Sequence, residues 1–444
     1  MDPDGVERKL AAILSADVAG YSALMANVQV TMAEDKLSAP MSHLARSAVL
    51  WLYLAVALPS PLWAAALETP PNFTIAFIGD QGLGPDPQAV LQLIQDEGAD
   101  AVLHQGDFDY QNDPRAWSDQ ISAILGPDFP YFASAGNHDF EYFFARKGYL
   151  HFLAARMFRL GIGWSGTLGA KSSFKYKGIF FVLTSPGIFG PGNGFFDDYI
   201  RDELAADGSI WRISGWHKSQ RLMQVGGKPS ETGWGVYEES RRGGAIIATA
   251  HEHSYSRTHL LSDCSQQTVA STSDTLVLAR DDPATPADEG QSFVFVSGLG
   301  GRSIRDQELS GAWWASIYTS TQNADFGALF GVFNYEGNPR LAYFYFKALD
   351  GTIADEFFVQ SPLGEEPVLC GDVNGDGTLN ASDVLDLRLH LTGIPLPLGG
   401  ETRCPVIGEG IGCDLLDLTV LHRTVEGPSM PPGIAQICGA AFGL

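Results

Sequence analysis

From Asn72 onward, short apolar runs alternate with segments whose apolar residues recur at helical spacing. Residues 73–78 read as a buried strand. Residues 87–97 read as a helix with Val90, Leu91 and Ile94 on one face. The alternation continues with a strand at 101–103, a helix at 117–125 and a strand at 131–135. Further strands are expected at 179–184, 210–215, 245–249 and 293–297, and a hairpin at 330–335 and 341–346 across Gly337-Asn338. Strands and helices in this order predict an α/β domain over residues 72–360. The polar, turn-rich stretch 361–369 then reads as a linker.

The ends of the chain follow different rules. Residues 41–46 are a weakly basic start, 48–58 an apolar run of 11 residues, and Ala64-Ala65-Ala66 a small-residue triplet. That is the layout of an export signal spanning 41–66, and the run falls short of the ~20 residues a spanning helix needs. The expectation is a secreted protein, extracellular or periplasmic, with no stable membrane span once mature. Residues 1–40 then stand ahead of the true start as a leader. Within them, residues 7–25 resemble the opening of a class III nucleotide cyclase domain, with no continuation and no function assigned to it.

Of 444 residues, 52 are acidic and 28 basic, a net charge of −24, so an extended nucleic-acid surface is disfavoured. A phosphate-bearing substrate would need a local positive charge, which bound metal ions can supply. Four of the five cysteines, Cys370, Cys404, Cys413 and Cys438, lie in the C-terminal tail, and Cys264 stands alone. Four cysteines allow three pairings; Cys404–Cys413 with Cys370–Cys438 is the preferred one for an exported chain.

Acidic and imidazole residues recur just after the strands, the edge at which open α/β sheets carry their sites. They are Asp80 after the first strand, Asp107 and Tyr110 after the second, and Asn137 and His138 after the third. Then come His217, and His251 with His253. The mixture of carboxylate, amide, phenol and imidazole suits Fe, Zn or Mn. Taken singly, a Gly-Asp after a strand is ordinary turn chemistry and His217 has the weakest local motif, so the weight rests on the ordered set. His104, His151 and His259 are expected in the core or at the surface.

These motifs, over about residues 73–305, resemble the calcineurin-like metallophosphoesterases and, within them, the purple acid phosphatase branch. The branch features are Gly106-Asp107-x-x-Tyr110 and the lack of a histidine two residues beyond Asp80; Ala250 departs from the usual glycine. The resemblance implies a β-sandwich of two mixed sheets flanked by helices. It implies that Asp80, Asp107, Tyr110 and His253 bind one metal, ferric iron, and that Asp107, Asn137, His217 and His251 bind Zn, Mn or Fe. His138 would be the general acid in phosphate monoester hydrolysis by metal-activated water. A phosphodiesterase or nucleotidase on the same site is the alternative. From another class, the alternative is a non-catalytic, calcium-dependent surface binding protein.

In the tail, Asp372, Asn374, Asp376, Thr378 and Asp383 have the spacing of a calcium-binding loop, with Gly377 at its turn. The helix after it is repeated from Asp414. Residues 370–440 resemble a type I dockerin, a small α-helical module. The resemblance implies one calcium, since the second loop offers only Glu409 as a carboxylate, and a cohesin-type partner.

Overall fold

The computed structural model describes residues 69–361 apart from 191–193 and 283, together with 384–387 and 391. The leader, the export signal, most of the linker, the calcium loop (Asp372, Asn374, Asp376, Thr378, Asp383) and the four tail cysteines lie outside the described residues. Residues 384–387, inside the helix expected after that loop, are helical.

The domain opens with β1 (Phe73–Ile78), α1 (Pro85–Asp96), β2 (Ala101–His104), α2 (Pro114–Ile124) and β3 (Tyr131–Ala133). Proline in the first turn starts both helices. In α2, Asp113 also caps the end by accepting from the Ala116 N–H at 2.9 Å, so that helix begins earlier than its apolar spacing suggests. The short α3 (Phe140–Phe143) and α4 (Tyr149–Arg159) follow, then β4 (Ser165–Thr167), β5 (Lys171–Tyr176) and β6 (Ile179–Thr184). Next come α5 (Gly194–Ala205), β7 (Trp211–Gly215), α6 (Gly235–Arg242) and β8 (Ile246–Thr249). The remaining strands are β9 (Tyr255–Thr258), β10 (Leu260–Asp263), β11 (Thr268–Ser271), β12 (Thr275–Val277) and β13 (Val294–Ser297). Last are β14 (Trp314–Tyr318), β15 (Gly327–Phe333), β16 (Leu341–Ala348) and β17 (Ile353–Gln360).

All but β10 and β11, which pair with each other as a two-stranded ribbon, build the expected two mixed sheets flanked by helices. One has the order β12-β17-β16-β15-β1-β2-β3, the other β14-β9-β13-β8-β7-β6-β5-β4. Strands β1, β2 and β3 run parallel, as do β6, β7, β8 and β13, with antiparallel strands at the flanks. The sheets face each other across an apolar core in which Phe77 of β1 meets Phe295 of β13 edge to face, at 5.2 Å between centroids. Each fully buried side chain of this size stabilises the fold by roughly 1.5–3 kcal/mol. The Ser297 hydroxyl adds a polar link, donating to the Phe77 carbonyl at 2.8 Å. A second apolar cluster joins α5 and α6 to the outer face of the second sheet through Phe196, Ile200, Val236 and Ile247. Parallel strands put their C-terminal ends on one edge, and there the loops of both sheets meet.

Candidate metal centre

The loops leaving β1 and β2 are joined side by side: Asp80 N–H donates to the Gly106 carbonyl and Gln81 N–H to that of Asp107. Asp80, Asp107 and Tyr110 all have left-handed backbones, with φ of 56°, 59° and 57°, and so does His251 at 70°. Such conformations cost about 1–3 kcal/mol each and persist only where surrounding contacts enforce them. Here they are enforced. The Asp139 carboxylate accepts N–H bonds from Asp107, Phe108 and Gly136 at 2.7–2.9 Å. Asp109 accepts three more from Gln111, Asn112 and Asp113, bracing the turn that carries Tyr110.

The two exits differ: after β2 the glycine before the acid, Gly106, has φ +89°, whereas after β1 the left-handed residue is Asp80 itself. Gly79 serves the approach of the two sheets, because a Cβ there would lie 2.3 Å from that of Ala250.

The predicted donors fall into two groups. In the first, the Tyr110 hydroxyl donates to Asp80 Oδ1 at 2.8 Å, and His253 Nε2 lies 3.2 Å from both that oxygen and the Tyr110 oxygen. In the second, Asp107 Oδ2 is 3.2 Å from His217 Nε2, and His217 Nε2 is 3.0 Å from His251 Nδ1. The donor atoms of Asp107, His217 and His251 all lie within 4.8 Å of one another, and all three residues are buried. Asn137, directly before His138 in the loop after β3, has a buried Oδ1 with no hydrogen-bond partner among the described residues.

The second group fits a cation on the chemistry of its atoms. His217 Nδ1 faces the Gln105 carbonyl at 2.7 Å, an acceptor only, so that nitrogen carries the proton and Nε2 presents a lone pair. His251 Nε2 faces the Glu231 carboxylate at 2.6 Å, which leaves a lone pair on Nδ1. Two imidazole lone pairs and a carboxylate oxygen therefore converge, and a positive charge satisfies all three.

The acid–base tendencies show how strongly the site calls for positive charge. Burial pulls His217 down, but the Asp107 carboxylate outweighs it and raises the ring to about 9, so a proton takes the Nε2 lone pair where no cation does. Burial takes His251 down to about 4. Burial pushes Asp80 up, and the neighbouring His253, His217 and His251 hold it well below the carboxylate range. Burial and the Asp80 and Asp107 charges push the Tyr110 phenol far up, so its ionisation calls for a cation.

His138 lies at the rim, its side chain 52% exposed, its ring 4.5 Å from that of Tyr110 and its Nε2 4.0 Å from Asp107 Oδ2. Its N–H donates to Asp107 Oδ1 at 2.8 Å, so the backbone position is fixed. Of the other histidines, His104 is buried and bonded to the Tyr131 hydroxyl at 2.9 Å, His151 is exposed and His259 is partly buried. Among the nearby aromatics, core packing accounts for Phe143 and Phe196. Tyr142, Phe144 and Phe195 are exposed, and Phe189 is partly buried.

Sequence reasoning missed several residues here. Glu231 arrives from a loop, bonded to His251 and to Lys218 Nζ at 2.5 Å; against burial, those partners hold it at about 2. Arg302 lies over the Tyr110 ring at 4.6 Å. Arg305 Nη2 is 3.4 Å from His253 Nε2, and its Nη1 is 3.5 Å from the buried Glu252. None sits in a strand-end motif. The one available signal was a pair of arginines in a glycine-rich turn of an acidic chain.

Residues 73–255 match the model of the calcineurin-like phosphoesterases. No curated protein matches the sequence significantly. Solved structures similar to the chain include GAP50, described as the anchor in the inner membrane complex of Plasmodium. It is 12% identical, with 65% of this chain and 89% of that one covered and a TM-score of 0.42. PhoD is 13% identical, covering 68% and 72%, also with a TM-score of 0.42. A hypothetical protein from Thermus thermophilus is 14% identical, covering 65% and 100%, with a TM-score of 0.26. Residues 73–255 thus form a calcineurin-like phosphoesterase domain, the fold of metal-dependent phosphoester hydrolases.

Proposed function

We propose that the protein hydrolyses phosphate monoesters at a pair of metal ions, one held by Asp80, Asp107, Tyr110 and His253, the other by Asp107, Asn137, His217 and His251. The observation that carries this reading is the convergence of His217 Nε2, His251 Nδ1 and Asp107 Oδ2 on one space, with the unpartnered Asn137 Oδ1 on the loop that packs against Asp107. When bound, two such ions neutralise phosphoryl oxygens and lower the pKa of water towards neutrality. Asp107 links the two donor groups. The exposed imidazole of His138 delivers a proton to the leaving alcohol, with its backbone tied to Asp107. Arg302 and Arg305 add positive charge on the Tyr110 and His253 side. This local field answers the overall charge of −24. The hard phenol of Tyr110 supports ferric iron in the first group, and the imidazole-rich second group supports Zn, Mn or Fe.

The sequence alone supports two further parts: export directed by residues 41–66, and a dockerin-like module, residues 370–440, that binds one calcium through Asp372, Asn374, Asp376, Thr378 and Asp383 and docks on a cohesin-type partner. The donor set weighs against a non-catalytic binding protein.

Paired assays with a monoester and a diester of the same alcohol test the substrate class. Faster monoester turnover is expected, and a diester preference would replace the reading with a phosphodiesterase. A visible absorption lost in Tyr110→Phe is expected for the iron assignment; an active, colourless, iron-free protein would contradict it.

A further inference from the structure

The brace behind His251 has chemistry that the seven donors do not account for. The Glu231 carboxylate bridges His251 Nε2 at 2.6 Å and Lys218 Nζ at 2.5 Å. Its backbone is fixed as well: the Glu231 N–H donates to the Ser219 carbonyl at 3.1 Å, and Gln220 Nε2 donates to the Thr232 carbonyl. On the other side the chain presses on Gly187, where a Cβ would come within 2.2 Å of the Glu231 carbonyl oxygen. Lys218 directly follows His217, so the one carboxylate ties the loop after β7 to the histidine after β8.

We infer that Glu231 is a positioning residue that fixes the proton of His251 on Nε2, aims Nδ1 at the space shared with His217 and Asp107, and thereby builds the site for the second, divalent ion. The inference rests on the two-metal reading above. Without an acceptor at Nε2 the proton is free to occupy either ring nitrogen, and a proton on Nδ1 removes the lone pair a cation needs. A carboxylate acceptor does more than choose the tautomer. It draws the N–H proton, makes the opposite nitrogen a better donor and locks the ring plane. His217 receives only a carbonyl in the same role, from Gln105 at 2.7 Å, so the two imidazoles of the cluster are oriented by different acceptors. Lys218 balances the Glu231 charge, and the cluster gains a carboxylate's orienting power without a further net negative charge beside the substrate.

The test is zinc titration of the metal-depleted full chain by calorimetry, with thermal melting in parallel. Wild type is expected to bind two zinc ions. Glu231→Leu is expected to weaken one of the two by roughly ten- to a hundred-fold and leave the other unchanged. Glu231→Gln, whose amide oxygen can accept the same Nε2 proton, is expected to recover most of that loss. Lys218→Met breaks the ion pair but not the imidazole bond, and is expected to hold both affinities within a few-fold. Equal weakening of both ions in Glu231→Leu, unchanged binding in it, or a Lys218→Met loss as large as that of Glu231→Leu would overturn the inference. Should Glu231→Leu fail to fold, Glu231→Ala takes its place, and unchanged binding of both ions in it would overturn the inference. Failure of wild type to bind two ions would instead remove the two-metal reading on which it stands.

Discussion

The two sheets contribute different chemistry to one place. Loops leaving β1, β2 and β3 carry the oxygen donors Asp80, Asp107, Tyr110 and Asn137, and the half-exposed His138. Loops leaving β7 and β8 carry the nitrogen donors His217, His251 and His253. Neither half is complete: the first lacks imidazole ligands, and of the carboxylates in the second, Glu231 is turned to the outer nitrogen of His251 and Glu252 faces Arg305. The centre therefore depends on how closely the sheets approach, and that approach is visible in single atoms. A Cβ on Gly79 would meet Ala250 at 2.3 Å, and one on Gly106 would meet His217 Cβ at 2.9 Å. Asp80 Oδ2 crosses the seam to accept the His251 N–H at 2.9 Å.

Removing the side chain that both donor groups share should disconnect the two halves most completely. Asp107→Ala is expected to abolish phosphate release while the far-ultraviolet spectrum stays that of the folded chain. His138→Ala comes next. It leaves both donor groups intact, so metal content should hold, while turnover of alkyl phosphates falls by about 10²–10⁴-fold. Nitrophenyl phosphate, whose leaving group needs no proton, should lose far less.

Gly79→Ala strikes the seam itself. Overpacking of this kind costs about 1–3 kcal/mol, read as a lowered melting temperature. Ala250→Gly should restore part of it in the double variant, a coupling expected only of residues in contact. A still smaller change separates the two sheets by function: His104 is an imidazole of the oxygen-donor sheet that takes no part in the centre. His104→Leu should leave metal content unchanged. Burial lowers His104 to about 3, so the folded chain resists a proton that the unfolded chain accepts near 6.5. Stability is lost as pH falls from about 6.5 towards 3, and the variant should show a shallower loss in that window on acid titration.

The sequence made the strands of the inner core legible. Runs apolar at all but one position, such as 73–78 and 179–184, coincide with β1 and β6, because both faces of these strands are buried. The donors that follow such strands were legible for the same reason, since a strand end fixes where its next residue lies. β9 was not legible: Tyr-Ser-Arg-Thr carries no apolar pattern, yet it is wholly buried because Arg257 pairs with Asp355 of β17 at 2.6 Å across 98 residues. Glu231, Arg302 and Arg305 were hidden likewise. Their places are set by loops folding back over the strand ends, and no local periodicity encodes that return.

Whether the two sheets jointly hold one dinuclear centre can be read from anomalous scattering by crystals of the metal-loaded chain. The expected result is two peaks about 3.5–4 Å apart. One should lie against Asp80, Tyr110 and His253, the other against Asn137, His217 and His251, with Asp107 touching both. A single peak, or peaks held by residues of one sheet alone, would contradict a centre shared between the sheets.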